Sequence, residues 1–442
     1  MTYPLNIQAL SAVTKNVIQG SAPYLTFDGG KTKASTTEGL LGITLSDGTT
    51  ITPATNISTP TDPIVLPNAG ETFANVGMFV PTSTNSIELK ALIDAPYNYW
   101  GDDDGDGEEE NGVTATGSLS VSFTDRYNQK VSRSHVLDIC GAPYKVVLTS
   151  TDGMLITRYG VPNSSTFSGS TVSYFITPKS QPKLCYIKAG FTVIDTGEYA
   201  GPADMWSPNK GFIPQSTTPK SYDRNFPTTG ANGLYFDLDI GGSGPLTWPT
   251  VKNEGITAIM IPNEIGNRVR VTLAGPMASE TKKQTAEPSR ISKPTLPQTF
   301  ELVGYDSSGK TVIKYGFVLK KWFVNRGEIR ETSSKQETWC ASLGYRLIQV
   351  KDVTNANCAE IHSSCQGAKP SSIGNYYHRR INGGLFNEWG YMGYYADAGF
   401  VTDYAYWTSD VTGADQLTVN SGGGNVDSFK PSITEYGLCT YP

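Results

Sequence analysis

Short runs of β-branched and aromatic residues recur along the whole chain, each cut off by a cluster of Gly, Pro, Asn or Asp. This punctuation constrains the fold more than any other feature. A helix needs roughly ten or more residues of unbroken 3.6-residue periodicity, which few windows here supply, whereas a strand needs only about five. The 46 glycines and 27 prolines provide the turns that such strands require. The expected fold class is mainly β: immunoglobulin-like β-sandwich domains followed by an α+β module at the C-terminal end. At 442 residues the chain has room for roughly two to four domains.

Taken in order, residues 24–27 and 40–45 form short strands before Asp28-Gly29-Gly30 and Asp47-Gly48. Residues 52–67, rich in Pro and Thr, read as an extended loop. Ile87, Leu89, Ala91 and Ile93 alternate with Glu88, Lys90 and Leu92 and predict a half-buried strand, as do Leu119, Val121 and Phe123 among serines. Further strands follow at 146–148, 154–157, 172–176, 186–193, 234–240, 256–261 and 269–273. Residues 203–233 hold Trp206, Phe212, Tyr222 and Phe226 and read as an ordered loop packed by its own aromatics. Residues 275–297, with four prolines, three lysines and few large apolar groups, predict a linker. The expected organisation is a β-sandwich region over 1–290, with an internal boundary near 95–115, and a terminal module over 291–442.

The terminal module opens with a hairpin, strands at 300–303 and 312–319 flanking Asp306-Ser307-Ser308-Gly309. Ser334 and Glu337 have capping-box spacing, Trp339 and Leu343 share a helical face, and Gly344 stops the helix. Residues 346–350 return as a strand. Six cysteines form an even set. Among about 15 formal connectivities, the least contorted joins Cys140 to Cys185, Cys340 to Cys439 and Cys358 to Cys365, which implies an oxidising compartment.

Charge narrows the partners. The formal net charge is −6, and residues 102–110 alone contribute −7, leaving the remainder at +1. With no basic patch, nucleic acid is not an expected partner. Nor is membrane insertion, because no run of about 18 apolar residues occurs. No signal peptide is visible, so the chain is expected to be a piece of a longer secreted protein, and monomeric.

Asp102, Asp104 and Asp106 fit the opening of a calcium loop, in which alternate carboxylates converge as a glycine turns the chain. Val113 stands where a bidentate glutamate is expected, so Glu108 and Glu110 would have to complete the set. Either a solvated acidic loop or a calcium site fits, calcium being the one cofactor expected. Residues 304–311 spell G-x-x-x-x-G-K-T, but a strand pattern follows where a phosphate loop needs a helix. Cys358, His362 and Cys365 have zinc-like spacing without a fourth ligand, and a disulfide is the simpler reading. No convergent acid–base or nucleophile set is visible, so the chain is not expected to be an enzyme.

Aromatic residues on glycine-rich backbone suit recognition, since Tyr and Trp bring contact area at small entropic cost. Trp389, Tyr391, Tyr394, Tyr395, Asp403 and Tyr404 are the candidate receptor-binding residues, with Trp407 assigned to the core.

Two resemblances follow. Residues 339–347, Tyr406-Trp407-Thr408-Ser409 and Tyr436-Gly437-Leu438-Cys439 resemble the first helix, central strand and last strand of a C-type lectin-like domain. That family bonds its first and last cysteines. Its sugar-binding members hold calcium with a Glu-Pro-Asn or Gln-Pro-Asp loop, which this sequence lacks. More widely, Trp100-Gly101-Asp102-Asp103-Asp104-Gly105-Asp106-Gly107, residues 113–117 and 225–236, and Gly390-Tyr391-Met392-Gly393 look like the adhesion region of invasin E-type proteins of the intimin/invasin inverse autotransporters. The resemblance implies an outer-membrane β-barrel N-terminal to this chain and an extracellular passenger that binds a host-cell receptor through a lectin-like tip. A protein receptor is the expected partner; the alternative is a calcium-independent, carbohydrate-binding lectin that uses the aromatics as a platform for glycan.

Overall fold

The computed structural model describes residues 20–105, 112–190 and 197–442. They belong to two compact units, Met1–Gln181 and Pro182–Pro442.

In the first unit, a five-stranded sheet runs in the order Ile64–Val65, Ser170–Thr177, Tyr144–Ser150, Ser118–Thr124, Ser86–Glu88. A three-stranded sheet orders Ser164–Phe167, Gly153–Thr157 and Val113–Thr116. Burial alternates along the long strands: Leu119, Val121 and Phe123 point inward between half-exposed serines, as period-two strands with one wet face require. Phe73 stacks on Phe123 at 4.5 Å and meets Tyr144 edge-on at 5.7 Å.

Two expectations change in this unit. Over 87–93 the chain is a strand only for Ser86–Glu88 and then a short helix, Leu89–Ile93. Leu89, Leu92 and Ile93 are all buried, and spacings of three and four place them on one helical face, so helix and strand patterns both bury these residues. No boundary falls near 95–115. Tyr24–Leu25 pairs with Trp100–Gly101 and Val113–Thr116 with Gly153–Thr157, so hydrogen bonds cross that point from both sides.

The second unit is built on two seven-stranded sheets and one hairpin. One sheet orders Trp206–Ser207, Gly211–Phe212, Lys183–Lys188, Tyr235–Gly241, Arg268–Ala274, Ile256–Pro262 and Val251–Asn253. The other runs Thr229–Ala231, Lys321–Glu331, Glu435–Tyr441, Ala405–Thr412, Asp415–Asn420, Val426–Phe429, with Arg346–Leu347 paired to Glu435–Tyr441. The hairpin joins Gln298–Tyr305 to Thr311–Leu319. Its turn settles the phosphate-loop match: Asp306 accepts from the amides of Ser308 and Lys310 at 2.9 and 3.0 Å, and no helix follows.

Helix Ser333–Leu343 begins before Ser334, so the expected capping box is absent and Thr332 stands at the N-cap. Gly344 ends the helix at φ 89°, a left-handed conformation that favours glycine. Trp339, Cys340 and Leu343 are fully buried beneath it. The 203–233 segment is not the loop expected, since Trp206–Ser207, Gly211–Phe212 and Thr229–Ala231 are strands, but its aromatics pack together: Phe212 stacks on Phe226 at 4.9 Å and lies edge-on to Trp206 at 4.8 Å.

The division expected at 290/291 is not where this fold divides. One hydrophobic cluster runs from Ile187 through Phe236, Trp322 and Trp389 to Cys439. Thr229–Ala231 pairs in parallel with Lys321–Glu331, lending an early strand to the terminal sheet. The 275–297 segment is a strap along the helix. Trp322 Nε1 donates to Pro276 O at 2.8 Å, Trp339 Nε1 to Lys282 O at 3.0 Å and Tyr345 Oη to Ser292 O at 2.8 Å. Its polar composition read as a linker because its backbone carbonyls, rather than its side chains, hold it in place.

Among the described residues no helix is long and apolar enough to cross a membrane, which says nothing of a β-barrel.

Candidate recognition surface

The C-terminal module is closed by Cys340–Cys439, two residues 99 apart in sequence. A second bond, Cys358–Cys365, closes a short loop and ties up the sulfurs that zinc beside His362 would need. First helix, bonded cysteines, central strand Ala405–Thr412 and last strand Glu435–Tyr441 are the features that the lectin-like resemblance implies.

The candidate aromatics are mounted on a rigid base. In the helix Leu385–Trp389 every side chain is buried. Glu388 accepts from the amides and hydroxyls of Thr228 and Thr229 and from the amide of Asn382. Burial in this cage raises its carboxyl above the ordinary range, while the hydrogen bonds oppose that. Trp389 donates to Thr229 O at 3.0 Å and lies edge-on to Phe226 at 5.0 Å.

Beyond Gly390 the chain emerges and the side chains divide. Tyr395 turns inward, fully buried, its hydroxyl donating to Trp389 O at 2.9 Å. Trp389 and Tyr395 are therefore withdrawn from the predicted receptor-binding set: both are core residues that fix the loop. Tyr391, Tyr394, Asp403 and Tyr404 remain at the surface, with Tyr394 46% and Tyr404 49% exposed. Tyr391 donates to Asp403 Oδ2 at 3.2 Å, and its ring lies 5.5 Å from that of Tyr394. Partial desolvation first, and the Asp403 carboxylate second, raise the Tyr391 phenol. Ser421 staples the loop by accepting from Met392 N at 3.4 Å and donating to Tyr404 O at 3.0 Å and Val401 O at 2.7 Å. Trp407 is core, as expected.

Sequence reasoning missed two neighbours of this surface. The Tyr436 ring packs 5.4 Å from Tyr404, beneath the Arg330 guanidinium at 5.6 Å, and Arg330 pairs with Glu435 at 2.8 Å. Their sheet positions join them, since Arg330 stands opposite Tyr436 in the register of Lys321–Glu331 and Glu435–Tyr441, and nothing local in sequence announces that. The second is a cleft of about 450 Å³ between Lys283, Arg326 and Gly327 on one side and Gly399 to Thr402 on the other.

The acidic loop is described only in part. Asp106, Glu108 and Glu110 lie outside the described residues. Asp104 accepts from Ser21 N at 2.6 Å, and Asp103 is paired with Lys33 at 2.6 Å and accepts from Tyr24 Oη at 2.9 Å. Among the described residues no three His, Cys, Asp or Glu side chains gather as a metal site.

No protein-family model matches the chain. Over 215 residues it is 24% identical to the inverse autotransporter adhesin YeeJ of Escherichia coli K12, a match that takes in 48% of this chain and 7% of that protein. Among solved structures, invasin, a bacterial integrin-binding protein, aligns over 75% of this chain and 52% of its own at 14% identity and a TM-score of 0.36. A C-terminal 282-residue fragment of intimin, in complex with the intimin-binding domain of the translocated intimin receptor, aligns over 74% of this chain and 93% of its own at 12% identity and a TM-score of 0.33.

Fold and surface together define a mainly β, disulfide-closed module that presents tyrosines on a braced loop. The likeness to the inverse autotransporter adhesin agrees with the residue-level resemblance.

Proposed function

We propose that this chain is the adhesive part of a bacterial surface protein and that it binds a protein receptor on a host cell through Tyr391, Tyr394, Asp403 and Tyr404. The observation that carries this reading is the split between buried and exposed aromatics. Trp389 and Tyr395 are locked in the core, so the exposed tyrosines beside them are held at little further entropic cost on binding. The likeness to an inverse autotransporter adhesin supports an extracellular position, and anchoring through an outer-membrane barrel N-terminal to this chain is part of the proposal. Calcium at Asp102, Asp104, Asp106, Glu108 and Glu110 is part of the same proposal, as a structural ion.

The test is adhesion of the purified chain to host cells treated with either protease or glycosidases. Loss after protease treatment with retention after deglycosylation supports a protein receptor. The reverse pattern, together with a positive glycan array, replaces it with a carbohydrate ligand.

A further inference from the structure

The cleft beside the tyrosine surface has a cationic floor and an acidic rim. Arg326 is 3% exposed and the Lys283 side chain 15% exposed, whereas the Glu280 side chain on the rim is 81% exposed. Buried charges act through a weakly screened medium and solvated ones do not, so the floor dominates the field inside the cleft despite equal numbers of each sign.

The two cations differ in what they have left to offer. Arg326 is committed: Nε donates to Lys283 O at 3.0 Å, Nη1 to Gln336 Oε1 at 3.1 Å, and the guanidinium lies 5.1 Å from the Trp339 ring. Among the described residues the Lys283 ammonium pairs with Glu280, at 2.7 Å and three residues away on one short helix. Such a pair with one solvated partner contributes little, too little to keep an incoming carboxylate out.

The ammonium also faces open backbone. A β-carbon on Gly327 would stand 3.6 Å from Lys283 Nζ, and one on Gly399 would stand 3.9 Å from it. Two side-chain-free residues of the cleft wall thus leave the ammonium accessible, while Phe400 and Val401 supply an apolar flank. Cation and apolar wall, in a cleft of about 450 Å³, fit an acid group on a hydrocarbon stem together with the backbone that carries it.

We propose that this cleft is an anchoring pocket for an acidic side chain, Asp or Glu, of the protein receptor, whose carboxylate takes the place of Glu280 on Lys283. This rests on the protein-receptor reading for the identity of the occupant, and the pocket is separable from the tyrosines. Phe400 and Val401 beside the cation suit an amino-acid stem; an acidic sugar, whose hydroxyls Gln284, Glu328 and Thr402 could meet, is the rival occupant.

The probe is N-acetyl-glutamate N-methylamide, titrated at low salt into the full chain while the amide resonances of Gly327 and Gly399 are followed. Saturable shifts are expected with the glutamate probe and none with its glutamine counterpart. Lys283→Gln should weaken binding roughly tenfold or more, and Lys283→Arg should restore most of it. Glu280→Gln, at a solvated position that leaves folding intact, should tighten binding by removing the competing carboxylate. Equal binding of the glutamine probe, or no change in Glu280→Gln and Lys283→Gln alike, overturns the pocket. Shifts caused by a methyl sialoside but not by the glutamate probe overturn it in favour of acidic sugar. If these variants bind the probe as expected but cells still bind normally, only the link to the receptor fails. If cell adhesion depends on Tyr404 and not on Lys283, the receptor reading stands and the pocket does not.

Discussion

Glu388 and Thr229 lie 159 residues apart in sequence, yet the Glu388 carboxylate accepts from the Thr229 amide at 2.9 Å and from its hydroxyl at 2.6 Å. Thr228 and Asn382 complete the cage. In Glu388→Gln the amide oxygen can keep the two threonine amides. The NH2 group then faces the Asn382 amide, donor against donor, leaving a buried N–H unsatisfied. The expected loss is about 1–3 kcal/mol, measured by urea unfolding at neutral pH. Glu388→Leu, which abandons every donor, should lose more. A Gln variant as stable as the parent would show that the carboxylate is not what fastens the two stretches.

The same pairing decides where the protein may be cut. A fragment beginning at residue 291 lacks the strand Thr229–Ala231 and the Phe226 and Phe236 rings 5.0 and 6.2 Å from Trp389. It also lacks the carbonyls that receive Trp322, Trp339 and Trp389 Nε1. Fragment 291–442 is expected to be poorly folded, with solvent-like Trp fluorescence and collapsed amide dispersion, whereas 182–442 folds. A well-dispersed spectrum from 291–442 would return the boundary to the proline-rich segment.

Asp352 gives the terminal module a pH dependence. It is fully buried, paired with Arg346 at 2.6 Å and with Lys321, and it accepts from Gln349 N at 2.8 Å. Burial alone would raise its carboxyl, but Arg346 and Lys321 outweigh that and hold it below the ordinary carboxylate range. A lowered folded-state pKa means stabilisation present above the unfolded value of about 3.9 and lost as pH falls through the folded one. Arg346 and Lys321 both reach solvent, so Asp352→Asn should lose roughly 2–3 kcal/mol at pH 7, less than a wholly buried pair would. The gap to the parent should close below about pH 4. A constant gap from pH 7 to pH 3 would mean that the loss is steric.

What was legible in sequence was local. The hairpin about Asp306–Gly309, the stop at Gly344 and the helix face bearing Trp339 and Leu343 follow from turn chemistry and periodicity within a few residues, and they appear as expected. The strap over 275–297 was misread because its carbonyls meet tryptophans up to 57 residues away, and composition does not report on backbone partners. The aromatic cluster was located correctly but not sorted. Tyr394 and Tyr395 are adjacent and chemically identical, and long-range partners distinguish them: Tyr395 packs on Trp389 and Tyr235 and donates to Trp389 O.

Calcium is tested directly by calorimetry on the full chain. The expected result is saturable binding that Asp102→Ala combined with Asp104→Ala abolishes. Asp103 serves as the control, because its carboxylate is committed to Lys33 and Tyr24, and Asp103→Ala should retain binding. Equal heats in parent and double variant would leave the segment as a solvated acidic loop.

The division of the aromatics predicts two opposite phenotypes within one loop. Tyr404 is half exposed and touches Tyr436 from outside, so Tyr404→Ala should change stability by no more than about 0.5 kcal/mol. In the same variant host-cell binding should fall roughly tenfold or more if this ring is an anchor. Tyr395→Phe removes only the hydroxyl that donates to Trp389 O, leaving a buried carbonyl short of a partner at about 1 kcal/mol. Its binding loss should be no larger than that destabilisation explains and should disappear at lower temperature. If Tyr404→Ala binds cells normally while Tyr395→Phe does not, the exposed tyrosines are not the contact surface, and the loop acts through the shape of the core beneath it.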